Sequence, residues 1–164
     1  MKKLTVEKCS ALFVILLMSI GVTYAQSSEE TLCDSHEEIY FSCPIKNKIV
    51  SVCASGNISP NNGYVEYRIG KRGNIDFQYP EKSYPPLGRF SISDITGGNL
   101  NLVHLKFKSG GYDYVVYQGD VSGVYVKKKG KTVGNLICDA GNYQSINPRA
   151  MRGIKTTPPT DGVD

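Results

Sequence analysis

Hydrophobic and polar residues alternate in short stretches after residue 25, as they do in strands that bury one face. In YVEYRIG, Val65, Tyr67 and Ile69 share one face, and NIDFQY repeats the alternation after a turn that contains Gly. These two stretches predict a hairpin. Aligning their apolar faces places Arg68 opposite Asp76 as an exposed ion pair.

The same pattern continues in a second meander, where NLNLVHLKF, YDYVVYQ, GVYVKK and TVGNLIC are predicted strands joined by short turns. About eight or nine strands in all predict one all-β domain over residues 26–146, built as an antiparallel β-sandwich or a small β-barrel. Residues 147–164 contain prolines and little that could be buried, so they predict a loose C-terminal tail.

The first 25 residues predict a signal peptide that is cleaved. Lysines precede the uncharged run at residues 11–20, and Thr23 and Ala25 occupy the small-residue positions before the expected cut. The run is shorter than the ~20 residues that a membrane-spanning helix needs, which favours cleavage over a retained anchor. We therefore expect a periplasmic or secreted protein that makes no membrane contact after signal cleavage.

Composition and charge narrow the possible functions. With 40% hydrophobic and 21% charged residues, the chain is not disordered, collagen-like or a multi-span membrane protein. Without the leader, 16 basic and 14 acidic residues leave a charge of +2, too little for the basic surface that nucleic acid requires. One stretch holds Lys127, Lys128, Lys129 and Lys131. A solvated hairpin tip explains these lysines better than an anion-binding role.

The cysteines predict disulfide bonds. Of the five cysteines, Cys9 leaves with the leader, and an oxidising compartment would pair the rest. Because FSCPIKNKIVSVC resembles two strands around a turn at residues 46–48, we favour a Cys43–Cys53 bond across that hairpin, which leaves Cys33 with Cys138. Zinc binding is disfavoured, since the two short gaps between these cysteines each hold nine residues.

Catalytic motifs are missing from the sequence: it contains no HExxH, GxSxG, phosphate-binding Gly loop or EF-hand pattern. His36 lies in an acidic stretch, and His104 lies within a predicted strand with no nucleophile near it in sequence. A hydrogen-bonded His104 is favoured over a catalytic one. We therefore predict no catalytic residue, no metal and no cofactor.

Tyrosine is the clearest sign of a binding function. The chain has 11 tyrosines and no Trp, and Tyr112, Tyr114, Tyr117 and Tyr125 fall on adjacent predicted strands. Tyrosine presents a large area with few rotatable bonds and a polar tip, which suits protein interfaces, although core packing must account for some of these residues. Sugar stacking is less favoured because it prefers Trp.

The run SGVY at residues 122–125, followed by Lys129, Gly130 and Leu136, resembles motifs of the membrane-bound and periplasmic inhibitors of C-type lysozyme, with one residue fewer between Gly and Tyr. This resemblance implies a small exported barrel that inserts a Ser and a Lys, here Ser122 and Lys129, into the lysozyme cleft. In size, export and paired cysteines, the chain is also similar to periplasmic toxin-immunity proteins.

Together these features predict an exported, non-enzymatic module that binds another protein, as an inhibitor or immunity protein acting on a cell-wall-degrading enzyme or toxin. A periplasmic module for small ligands or glycans is one alternative, and a small secreted hydrolase that uses His104 is the other. The predicted partner-binding residues are Tyr112, Tyr114, Ser122, Tyr125, Lys127 and Lys129.

Overall fold

The computed structural model describes residues 30–94, 102–140 and 144–158. The predicted leader at residues 1–25 lies outside them, so its cleavage stays a prediction. The elements are β1 (Glu38–Ile45), β2 (Lys48–Ala54), β3 (Val65–Lys71), β4 (Asn74–Tyr79), β5 (Phe90–Asp94), β6 (Val103–Ser109), β7 (Tyr112–Gln118), β8 (Gly123–Lys128), β9 (Lys131–Ile137), α1 (Ala150–Gly153) and β10 (Lys155–Thr156).

These strands form two sheets, one with the order β1-β2-β3-β4 and the other with the order β10-β5-β6-β7-β8-β9. Every pairing is antiparallel except that of the short β10 with β5. The predicted all-β class is therefore confirmed. Of the two architectures expected, this is the sandwich, because the strands belong to two sheets that pack face to face.

Aromatic side chains hold the two sheets together. The ring of Tyr67 on β3 lies 5.0 Å from that of Phe107 on β6, and Tyr79 on β4 stacks on the same Phe107 at 4.6 Å. Phe77 stacks on Tyr114 of β7 at 5.4 Å. Contacts of this kind add to the free energy gained by burying the rings. The alternation predicted for β3 is confirmed, since Val65 and Tyr67 are buried in this core.

The C-terminal residues 147–158 are ordered parts of the domain, so the predicted loose tail is wrong for them. Ala150 and Ile154 belong to the buried core, and the backbone N–H of Thr157 donates to the carbonyl of Ile92 at 2.8 Å. Ile146 is buried as well. Apolar residues spaced four apart are the signal of a helical turn, and here they place α1 against the sandwich before β10 pairs with β5.

The disulfide partners also differ from the prediction. Cys33 bonds to Cys53, with 5.3 Å between their Cα atoms, and Cys43 bonds to Cys138, with 5.6 Å between theirs. Both Cα distances are ordinary for a disulfide. The predicted Cys43–Cys53 and Cys33–Cys138 pairs are therefore wrong, although all four cysteines are paired.

The turn of the first hairpin explains the error. Ile45 pairs directly with Lys48, so the turn holds two residues, not the expected three. A register change of one residue moves a side chain to the other face of a sheet. Cys43 consequently lies opposite Val50 on the inner face, whereas Cys53 lies opposite Glu66 on the outer face.

The outer face of the four-stranded sheet buries a cluster of charges. The guanidinium of Arg68 donates to Glu37 Oε2 at 2.7 Å and Oε1 at 2.8 Å, to Glu66 Oε2 at 2.5 Å and to the carbonyl of Leu32 at 3.0 Å. Arg68 is only 8% exposed. Charged partners with this many hydrogen bonds can be buried without a large penalty. The segment before β1 is thus held on the sheet by this cluster and by the Cys33–Cys53 bond.

The predicted Arg68–Asp76 pair is wrong. Arg68 lies opposite Gln78 for two reasons: Lys71 pairs directly with Asn74, so the turn holds two residues and not three, and the register shifts by one more residue at a bulge between Ile69 and Gly70. A bulge sets one extra residue into one strand and moves all later pairs along. Asp76 instead makes an exposed ion pair with Lys48 at 2.9 Å.

The stability lost when a disulfide is removed should increase with the length of the loop that the disulfide closes. The Cys43–Cys138 bond spans 95 residues and the Cys33–Cys53 bond spans 20. In the chain-entropy model they contribute about 4.7 and about 3.3 kcal/mol. We expect a Cys43→Ser/Cys138→Ser variant to lose more unfolding free energy than a Cys33→Ser/Cys53→Ser variant, as measured by urea unfolding.

Peptide mapping checks the pairing itself. Trypsin can cut between Cys43 and Cys53 at Lys46, and Glu-C can cut between Cys33 and Cys43 at Glu37. Mass spectrometry of a non-reduced digest should find the linked pairs described above. A peptide joining Cys43 to Cys53 would contradict the register of the first hairpin.

The buried Glu37–Arg68 pair should make stability depend on acid pH. Burial raises the pKa of Glu37, but hydrogen bonds from Arg68 and the Asp34 N–H, with the Arg68 charge, outweigh it and lower the pKa below its usual 4.5. The stabilisation is complete above the unfolded pKa and is lost as pH falls through the folded pKa. Glu37→Gln should lower the unfolding free energy by about 2 kcal/mol at neutral pH, with a smaller deficit near pH ~3.

Glu81→Gln is the control, because Glu81 is exposed on a loop and a surface change of this kind should alter stability by less than about 0.5 kcal/mol. Urea unfolding followed by circular dichroism at the two pH values measures both variants. An equal Glu37→Gln deficit at both values would show that the Glu37 carboxylate is not the titrating group.

Candidate functional site

The six-stranded sheet has an outer face that is turned away from the four-stranded sheet. Leu105 and Phe107 of β6 point into the core, so the alternate residues His104, Lys106 and Lys108 lie on the outer face. A groove of about 660 Å³ crosses this face. This volume falls in the range of small-molecule sites in proteins.

Positive charge dominates the lining of the groove. Five cationic residues line it together with a single carboxylate, Asp113, whose Oδ1 lies 2.7 Å from Lys108 Nζ. The apolar part of the lining includes Leu87 and Val115. The site therefore combines an excess of positive charge with carbon surface. The five cations are Arg89, Lys106, Lys108, Lys127 and Lys155.

Beside the groove, two tyrosines cover a buried histidine. The rings of His104 and Tyr125 meet edge to face at 6.1 Å between centroids, and the rings of Tyr117 and Tyr125 lie 5.7 Å apart. Tyr117 donates its hydroxyl hydrogen to Asn135 Oδ1 at 3.2 Å. Burial raises the pKa of Tyr117, and the hydrogen bond to Asn135 offsets part of that rise.

A serine lies opposite His104, which the sequence did not reveal because the two residues are on different strands. Ser93 of β5 pairs with His104 of β6, and the two residues are 0% and 4% exposed. A nucleophile and its base must reach a substrate. At these exposures neither side chain is open to one, so this pair gives no specific support to the hydrolase alternative.

Strand β9 forms the other prominent surface of this sheet. It is last in the strand order, and six of its seven residues are exposed. Val133 is 57% exposed, Ile137 51% and Leu136 36%. Natural proteins usually shield edge strands, since their unpaired backbone groups can bond to another chain.

The predicted partner-binding residues do not form one surface. Tyr114 is half-buried between the sheets, with its ring stacked on Phe107 at 4.7 Å, and burial raises its pKa. Ser122 is 4% exposed, so it lacks the accessibility that the lysozyme-inhibitor resemblance implies. Ser122 is buried, and the ring of Tyr114 is partly buried against the core, so neither residue presents a fully exposed side chain to a partner protein.

The other four predicted residues are accessible. Lys127 lies over the ring of Tyr125 at 5.3 Å, while Tyr112 accepts a hydrogen bond from Lys128 Nζ at 3.0 Å. Lys129 is exposed at the turn between β8 and β9, with a φ of 50°. The predicted hairpin tip for the lysine cluster is confirmed. The sequence missed Arg89, Lys106 and Lys155, because distant segments bring them together.

Within the part of the chain that the structure describes, two groups of side chains have the spacing of metal ligands, but neither is a convincing metal site. In the first, atoms of Asp34, His36 and Glu37 lie within 4.8 Å of one another, yet the Glu37 carboxylate already accepts hydrogen bonds from Arg68 and Tyr64. The second contains Cys33 and Cys53, which are consumed in a disulfide. No metal is assigned to either group.

Comparison of the chain with protein-family models, with curated proteins and with solved structures finds no match. Among the residues described, no helix has the length and apolar character needed to cross a membrane. The two disulfides are typical of an oxidising environment, extracellular or periplasmic.

The position of Tyr114 predicts a loss of stability when its ring is removed. Tyr114→Ala should lower the unfolding free energy by about 3 kcal/mol, because the ring packs on Phe107 and Phe77. Tyr84→Ala, at a residue 41% exposed, should cost less than about 1 kcal/mol. Equal losses in urea unfolding would contradict the core placement of Tyr114.

Proposed function

We propose that this protein is an exported binding module, periplasmic or secreted, and that its partner is another protein that adds an extended strand to the free edge of β9. Strand addition supplies affinity through backbone hydrogen bonds and specificity through alternate side chains. The observation that carries the proposal is an edge strand with Val133 and Ile137 more than half exposed.

Nothing in the described parts of the chain pairs with the second edge of β9. Its only strand neighbour there is β8, through the register from Gly123–Ile137 to Lys128–Lys131. The exposed apolar side chains next to this edge offer area that a partner can bury, at roughly 25 cal/mol per Å². Val121, which is 58% exposed, precedes β8 and extends the apolar surface at the Ile137 end.

Charge at the opposite end of the strand indicates the chemistry of the partner. Lys128, Lys129 and Lys131 are exposed at or beside the β8–β9 turn. A cluster of like charges speeds the approach of an oppositely charged partner and disfavours others. The segment that we propose is therefore extended, apolar at alternate positions and acidic at the end that meets the turn.

The specific role that we propose is inhibition of, or immunity to, a cell-wall-degrading enzyme or toxin. The resemblance of residues 122–130 to lysozyme inhibitors supports this role through the exposed Lys129. The buried Ser122 does not support it, so insertion of that serine into a partner cleft is no part of the proposal.

The decisive test changes the apolar character of the edge. The partner is first captured from an envelope extract with the wild-type chain and purified. A Val133→Glu/Ile137→Glu variant should bind it more than about tenfold more weakly, because two buried contacts become charges facing an acidic segment. The control is Ile75→Glu, since Ile75 is 39% exposed on β4, the edge strand of the other sheet. Biolayer interferometry with the purified partner measures the affinities.

Circular dichroism and sedimentation velocity complete the experiment. All variants should keep the wild-type spectrum and remain monomeric. Undiminished affinity in the double variant would place the partner elsewhere. A wild-type dimer that the double variant dissolves would make a second copy of this chain the occupant of the edge, and would overturn the proposal of a different partner.

A further inference from the structure

We infer that the groove on the outer face of the six-stranded sheet is a second binding site, and that its ligand is a single alkyl-chain carboxylate. The groove does not include any residue of β9, so this inference stands apart from the proposed strand addition. It rests on the arrangement of charged and apolar side chains across four neighbouring strands.

The first part of the argument is a row of residues that crosses the sheet. Lys155 of β10 pairs with Ser91 of β5, Ser91 pairs with Lys106 of β6, and Lys106 pairs with Val115 of β7. Paired residues on one face are neighbours about 5 Å apart. Lys155 and Lys106 therefore lie on either side of Ser91 on this face of the sheet.

This arrangement suits the head of a carboxylate. Two ammonium groups and a hydroxyl between them are all hydrogen-bond donors, and a carboxylate accepts several such bonds at once. Ser91 and Lys106 are half-buried and Lys155 is exposed, so the head would be open to water on one side. Asp113, the only acid in the lining, is already next to Lys108 and leaves the net charge positive.

The remaining lining suits an apolar body rather than a small inorganic anion. Val115 ends the row and is 3% exposed, while Leu87 on the wall is 45% exposed. Phe90 and Phe107 border the groove as well, but they are 3% exposed and belong to the core cluster, so Leu87 is the exposed hydrophobic side chain of the lining. A bare anion would leave the exposed leucine in water, whereas an alkyl chain would cover it at a gain of roughly 25 cal/mol per Å².

The walls favour one free molecule over a membrane surface. The segment Leu87–Arg89 bounds the groove on one side, and Gly130 of the β8–β9 turn bounds it on the other. The site thus lies between two loops, which suits a single ligand molecule held between them better than a flat bilayer.

Isothermal titration calorimetry of the full chain with decanoate, below its micelle concentration, tests the inference. We expect saturable binding of one decanoate per chain, with much weaker binding of decanol and of acetate. Lys106→Gln/Lys155→Gln should raise the Kd about tenfold or more, and Leu87→Asp should raise it as well. Lys82→Gln, an exposed loop change outside the groove, is the matched control.

Several results would overturn the inference. If the double lysine variant or Leu87→Asp bound decanoate as tightly as the wild type, decanoate would not be bound in this groove. Acetate binding as tight as decanoate would mean a plain anion site without an apolar contact. Sedimentation with phosphatidylglycerol vesicles, without binding of free decanoate, would indicate a membrane surface instead.

Retained decanoate binding in the Val133→Glu/Ile137→Glu variant would show that the two sites are independent.

Discussion

The two-residue turn of the first hairpin is the constraint on which much of the sandwich depends. It places Cys43 on the inner face of the sheet and Cys53 on the outer face. The inner cysteine can then reach Cys138 after β9 and tie the two sheets together, while the outer one reaches Cys33 and holds the N-terminal segment. A change of register by one residue would put both cysteines on the same face of the sheet, where they could not reach partners on opposite sides of it.

The two faces of the six-stranded sheet have different roles: side chains on the inner face stabilise the fold, and side chains on the outer face line the proposed binding groove. On the inner side, the stacked rings of Phe107 and Tyr114 pack between the two sheets. On the outer side, alternate residues of β6 supply Lys106 and Lys108 to the groove, and other segments supply its remaining cations. The buried Arg68 cluster does for the four-stranded sheet what a hydrophobic layer usually does, since it covers the outer face with groups that satisfy one another.

The two proposed sites use different physical features of one sheet. The edge of β9 offers backbone groups and exposed apolar side chains, which suit an extended protein segment. The groove offers charge around a small apolar surface, which suits a compact amphiphilic anion. Both sites lie near the β8–β9 turn, because Gly130 borders the groove and Lys131 begins β9. The turn therefore places the proposed protein-binding edge close to the proposed carboxylate site.

The sequence by itself determined the strands β1 to β9, the inward face of β3 and the fact that all four cysteines after residue 25 are paired, because these follow from local alternation and from the cysteine count. Only the tertiary structure decided which cysteines meet, since a bulge or a one-residue turn difference is too small to appear in the pattern. It also decided that Tyr114 is core and that β9 is an edge. Both outcomes depend on which strands become neighbours in the fold, and those strands come from segments far apart along the chain.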